Sequence, residues 1–180
     1  MLRIKTALLT LAALTGLTAL APNTAHAAKL HPITINALGC EVIEGDVDVN
    51  LTFGEARSKD GASARLICPI PSMAVHPDHT FDILELVYRD PDGKNFVQNI
   101  QAELYRVRDK GTARAERIAA VYSRTRSETD LFVGRAYFPE QKLDLENSSY
   151  FVVVTITDLG GDQRKAPILF RGVRLAKMLG

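Results

Sequence analysis

The sequence has no tryptophan, only two cysteines in 180 residues, and only four histidines. Each scarcity narrows the range of functions. Carbohydrate platforms draw on exposed aromatic faces, and five tyrosines and seven phenylalanines are mostly needed for a core. Tyr88, Tyr105 and Tyr137 are the few placed to face outward, which makes a flat sugar platform a minor reading. With histidine so rare, a nucleophilic serine has few candidate bases. No G-x-S-x-G turn, H-E-x-x-H helix or phosphate-cradling glycine loop occurs. Carboxylates paired by the fold are the catalytic arrangement that a linear reading leaves open. The balance favours a protein that is not an enzyme and needs no cofactor.

Neither sign of charge is in excess, since 22 Lys plus Arg face 21 Asp plus Glu. Global electrostatics therefore favours neither nucleic acid nor a membrane surface. Long apolar runs are missing too, with one exception. Arg3 and Lys5 precede an apolar stretch from Ala7 to Ala21, which closes on the small-residue triplet Ala25-His26-Ala27. Interrupted by Thr10, Thr15, Gly16 and Thr18, the stretch falls short of the ~20 apolar residues that span a bilayer. Residues 1–27 read as a cleavable signal peptide. Residues 28–180 are then a single soluble domain, exported to the periplasm or secreted, with no transmembrane anchor after cleavage.

Cys40 and Cys68 both lie beyond the signal, and no C-x-x-C spacing points to redox or thiolate-metal chemistry. An even cysteine count in an oxidising compartment predicts one disulfide.

Hydrophobicity past the signal runs mostly with period two, in short stretches separated by Gly, Asp, Asn and Pro, as strands require. In Ile43–Leu51, Ile43, Val47, Val49 and Leu51 fall on one side and Glu44, Asp46, Asp48 and Asn50 on the other, which predicts one strand with a core face. Phe81–Tyr88 carries apolar groups on both faces, as a central strand does. Asp90-Pro91-Asp92-Gly93 turns the chain into the run Phe96–Leu104, and Asp109-Lys110-Gly111 reverses it again, so a hairpin is expected here. Further strands are expected at Ile33–Ala37, Ala64–Ile70, Leu131–Phe138, Tyr150–Thr157 and Ile168–Leu175. Ala113–Tyr122 fits a strand or a helical stripe, with strand preferred. Eight or nine short strands predict an all-β fold, an immunoglobulin-like antiparallel β-sandwich with one disulfide.

Two stretches carry resemblances. Leu145-Glu146-Asn147-Ser148-Ser149-Tyr150, running on through Phe151–Asp158 to Gly160-Gly161, resembles the late hairpin of immunoglobulin-like sandwiches. The resemblance implies that Tyr150 ties its strand back to the preceding corner. Cys40, then Asn50-Leu51-Thr52-Phe53-Gly54, then Ala64–Ile70 with its Cys68-Pro69, is similar to small exported bacterial proteins of unassigned function. That similarity implies no activity.

Candidate sites are few. Met73, His76, Asp78, His79 and Asp82 cluster in one segment, and His76, His79 and Asp78 are metal-ligand candidates, although a site needs a third convergent ligand and an ordinary loop has the same composition. His31 would hold copper only as the third residue of the mature chain, and cleavage after Ala27 makes it the fourth. Asp46–Asn50 starts like a calcium loop but has Leu51 where glycine is required and Arg57 where glutamate is required. Asp158 and Asp162 read as turn formers around Gly160-Gly161. Basic residues bunch at Arg106, Arg108, Arg114 and Arg117, and again at Arg171 and Arg174. Were hairpin and last strand neighbours, they would form a basic face for an anionic envelope polymer or a protein partner, the alternative being a solvated face neutralised by acids elsewhere. The leading reading is a non-enzymatic interaction or structural module. Its rival is a metal-binding or hydrolytic envelope protein built on the His76–His79 loop.

Overall fold

The computed structural model describes residues 32–59, 62–71, 80–91, 97–108, 114–124, 128–159 and 167–178. The expected signal peptide, residues 1–27, lies outside them. The described residues form eleven strands in two antiparallel sheets around one core. The strands are β1 Ile33–Asn36, β2 Glu41–Glu44, β3 Val47–Asn50, β4 Glu55–Ser58, β5 Ser63–Pro69, β6 Thr80–Asp90, β7 Gln98–Arg108, β8 Glu116–Tyr122, β9 Glu128–Lys142, β10 Ser148–Asp158 and β11 Leu169–Ala176. One sheet runs β3-β4-β11-β6-β9, with β1 also paired to β11; the other runs β2-β5-β10-β7-β8.

Strict alternation explains most elements. In β5 Ala64, Leu66 and Cys68 are buried, while Ser63, Arg65 and Pro69 face water. In β7 Ile100, Ala102 and Leu104 point inward against Val152, Val154 and Ile156 of the neighbouring β10. Strand β6 lies between β11 and β9 and buries Ile83, Leu84 and Leu86, as its two-faced apolar pattern predicts. The ambiguous Ala113–Tyr122 segment is a strand over Glu116–Tyr122. Ser123 joins the layers, because its hydroxyl donates to Asp90 at the end of β6 and accepts the Ile100 amide of β7 at 2.8 Å.

Two expectations need correction. The described residues hold eleven strands where eight or nine were expected, because short polar β4 has no apolar signature and Ile43–Leu51 is two strands. Gly45, at φ 76°, breaks that run and passes the chain from the five-stranded sheet to the six-stranded one. Its apolar face meets the core only at half-buried Val47, since Ile43, Val49 and Leu51 are exposed on edge strands or just beyond them. The expected hairpin is β7–β8, while the chain from β6 into β7 crosses from one sheet to the other.

Cys40 and Cys68 form the expected disulfide, with Cα atoms 4.2 Å apart. It fastens the start of edge strand β2 to buried Cys68 on β5. Tyr150 behaves as the resemblance implied: its hydroxyl accepts the Asp144 amide at 3.2 Å, tying β10 to the corner before it. Tyr150→Phe removes that bond and leaves a backbone donor short of a partner, so we expect a loss of about 1–2 kcal/mol. A urea titration against the unsubstituted protein checks this, and an unchanged midpoint would show that the corner holds without the hydroxyl.

Candidate binding face

The six arginines of the expected basic face fall on two sheets. Arg106, Arg108, Arg114 and Arg117 lie on or beside the β7–β8 hairpin, whereas Arg171 and Arg174 lie on β11. Hairpin and last strand are therefore not neighbours. Arg106 donates to Glu116 at 2.6 Å, and Arg108 approaches the same carboxylate at 3.8 Å. The Arg106 hydrogen bond, followed by its charge, holds the Glu116 carboxyl below its ordinary range. Arg117 donates to Glu103 at 2.7 Å, and Glu103 also accepts the Tyr105 hydroxyl at 3.1 Å. Burial first, and then Glu103, pushes the Tyr105 phenol up. Arg174 reaches Glu85 at 2.7 Å from one side while Arg135 of β9 reaches it at 2.8 Å from the other. Arg114 and Arg171 are exposed.

Sequence reasoning missed the feature that lies beside the hairpin. Strand β8 edges one sheet and β9 edges the other, and where they meet they frame an open groove of about 760 Å³. Tyr122, Leu131, Phe132, Arg135 and Tyr137 line it. Gly134 lets the layers close beneath: a Cβ there would sit 3.1 Å from Val121 and 3.2 Å from the Tyr88 ring. The Arg124 guanidinium lies 4.8 Å from the centre of the Tyr122 ring, a cation–π contact that steadies both. Tyr137 is 62% exposed, as expected, but Tyr88 is fully buried against Phe132, 5.8 Å away edge-on. The outward placing of Tyr88 is thus corrected.

Tyr122 also belongs to the outer face of the five-stranded sheet. Tyr122 is opposite Gln101, then come Thr155, Arg65 and Glu44 in one row across the strands. Two rows along, Tyr105 stacks on Phe151 with centroids 5.7 Å apart, and Arg117 flanks the pair. Such a surface offers aromatic faces for flat rings and guanidinium groups for carboxylate, sulfate or hydroxyl oxygens.

The candidate metal ligands His76, Asp78 and His79 lie outside the described residues, as do His31 and Met73. Asp82 accepts the Met178 amide at 2.8 Å. Among the described residues no three His, Cys, Asp or Glu converge as a metal site would need, and no helix is long and apolar enough to cross a membrane.

No protein-family model matches the chain, and no curated protein does. Among solved structures it is similar to the CBM22-2 xylan-binding domain from Paenibacillus barcinonensis Xyn10C, at 12% identity and a TM-score of 0.43, over 77% of this chain and 89% of that one. The CBM22-1 xylan-binding domain of the same protein gives 12% identity and 0.33, over 81% and 87%. A family two carbohydrate esterase from Cellvibrio japonicus gives 12% and 0.39 over 82% of this chain, which spans only 34% of the esterase.

Proposed function

We propose that this chain is a non-enzymatic binding module that works outside the cytoplasm, after losing residues 1–27, and holds an anionic polymer along the β8–β9 groove. One observation carries the reading: the Tyr122–Arg124 pair lies beside a groove that Arg135 and the exposed Tyr137 also line. An open groove suits an extended chain better than a compact substrate. Arg117, opposite Tyr105, extends the outer side of the same sheet, and the ~17 Å along β8 from Arg117 to Tyr122 gives a long contact. The disulfide fits an oxidising compartment.

The test uses the mature protein in affinity electrophoresis with polygalacturonate, and with dextran as the neutral comparison. Polygalacturonate should retard it at low salt and lose its grip as salt rises, because exposed charges are screened beyond a Debye length of about 10 Å at 0.1 M. Tyr122→Ala and Tyr137→Ala should each weaken retention about tenfold, on the order of one aromatic contact. Retention that ignores salt, equal retention by dextran, or none at low salt would overturn the reading.

A further inference from the structure

A second concavity lies on the six-stranded sheet, away from the β8–β9 groove. The β3–β4 hairpin and the start of β11 frame a cleft of about 810 Å³. Its walls are Val49, Leu51, Phe53, Pro167 and Leu169. Leu51 is 78% exposed and Phe53 59% exposed, unusual values for side chains of that size lying side by side in one concavity.

The polar groups of the cleft are uneven. Arg57 is bound to Asp48 at 3.2 Å, and the Asn50 side chain accepts the Thr52 amide at 3.1 Å. Arg89, on β6 opposite Leu169, differs: its Nε is buried and has no hydrogen-bond partner among the described residues. A buried guanidinium nitrogen left unpaired is costly, and a carboxylate is the group whose two oxygens match its fork. Glu55 lines the same cleft and repels a second anionic group.

Apolar walls, one unsatisfied cation and one repelling acid together define a ligand. We propose that this cleft binds an aliphatic monocarboxylate, its carboxyl group on Arg89 and its chain against Val49, Leu51 and Phe53. The occupant needs no hydrogen-bonding groups along its length, because the remaining polar side chains of the wall pair with one another or with backbone. This site is independent of the β8–β9 groove.

The experiment titrates decanoate, below its micellar concentration, into the mature protein by calorimetry, with acetate, decanol and decanedioate as comparisons. Decanoate should bind saturably at one site, acetate not at all, and decanedioate at least tenfold more weakly. Arg89→Met keeps the side-chain stem and should weaken decanoate at least tenfold while leaving decanol within twofold. Phe53→Ser lies on an exposed hairpin and leaves the core intact, so it serves even if Arg89→Met does not fold; it should weaken decanoate and decanol alike. Tyr122→Ala and Tyr137→Ala should leave decanoate binding unchanged, which separates this site from the polymer groove. Binding that survives both Arg89→Met and Phe53→Ser, acetate binding equal to decanoate, or no saturable decanoate binding would overturn the proposal.

Discussion

Replacing Cys40 and Cys68 together by alanine should lower stability by about 3–4 kcal/mol, the chain-entropy value for a crosslink across a separation of 28 residues. The location sharpens the expectation. All four side chains of β2 are exposed, so little burial holds that strand to the sheet once the crosslink is gone. Its amides should exchange with solvent well before those of β5, and the global urea midpoint should fall by about 1.5–2 M for an m-value near 2 kcal/mol/M. Hydrogen exchange with and without reductant separates the two effects. Equal midpoints for the oxidised and double-alanine proteins would mean that the crosslink is energetically idle.

Gly45→Ala should be nearly as damaging, at roughly 2–5 kcal/mol. Two costs combine there. An alanine at φ 76° pays about 1–2 kcal/mol for its left-handed backbone, and overpacking adds about 1–3 kcal/mol. Overpacking is severe because the new Cβ would fall 2.2 Å from the Ser63 carbonyl oxygen, which is backbone and cannot swing aside. Gly54 supplies the control. Its φ is 64°, yet nothing lies within 4 Å of a Cβ built on it, so Gly54→Ala carries the backbone cost alone. Thermal melts of the two variants should differ clearly; matched melting temperatures would show that Ser63 gives way.

Alternation was legible where a strand had cover on its apolar side. Residues such as Leu66, Ile100 and Val154 follow the pattern because a second sheet lies over them. The same pattern at Ile43, Val49 and Leu51 misled, since periodicity reports that a strand has two unlike faces and not whether anything lies against the apolar one. Turn chemistry has a similar limit: Asp90-Pro91 reverses direction equally well into a hairpin or across to the opposite layer. Tyr150 could be read because its role is local, six residues from the amide it holds. The groove could not, because it exists only where two edge strands from different sheets approach. Tyr122 sat in the one segment whose conformation was ambiguous, and Arg135 drew no notice outside the basic clusters. The basic face failed as a continuous surface for the same reason, since proximity of β7–β8 and β11 depends on strand order.

Strand β11 follows every other described strand, yet it occupies the middle of the six-stranded sheet, between β6 on one flank and β1 and β4 on the other. Its earlier partners have a gap where their central hydrogen-bonding neighbour belongs until that last stretch arrives. During synthesis this sheet must therefore stay open until β11 emerges, like an arch awaiting its keystone. Deleting the β11 stretch would accordingly strand three segments at once.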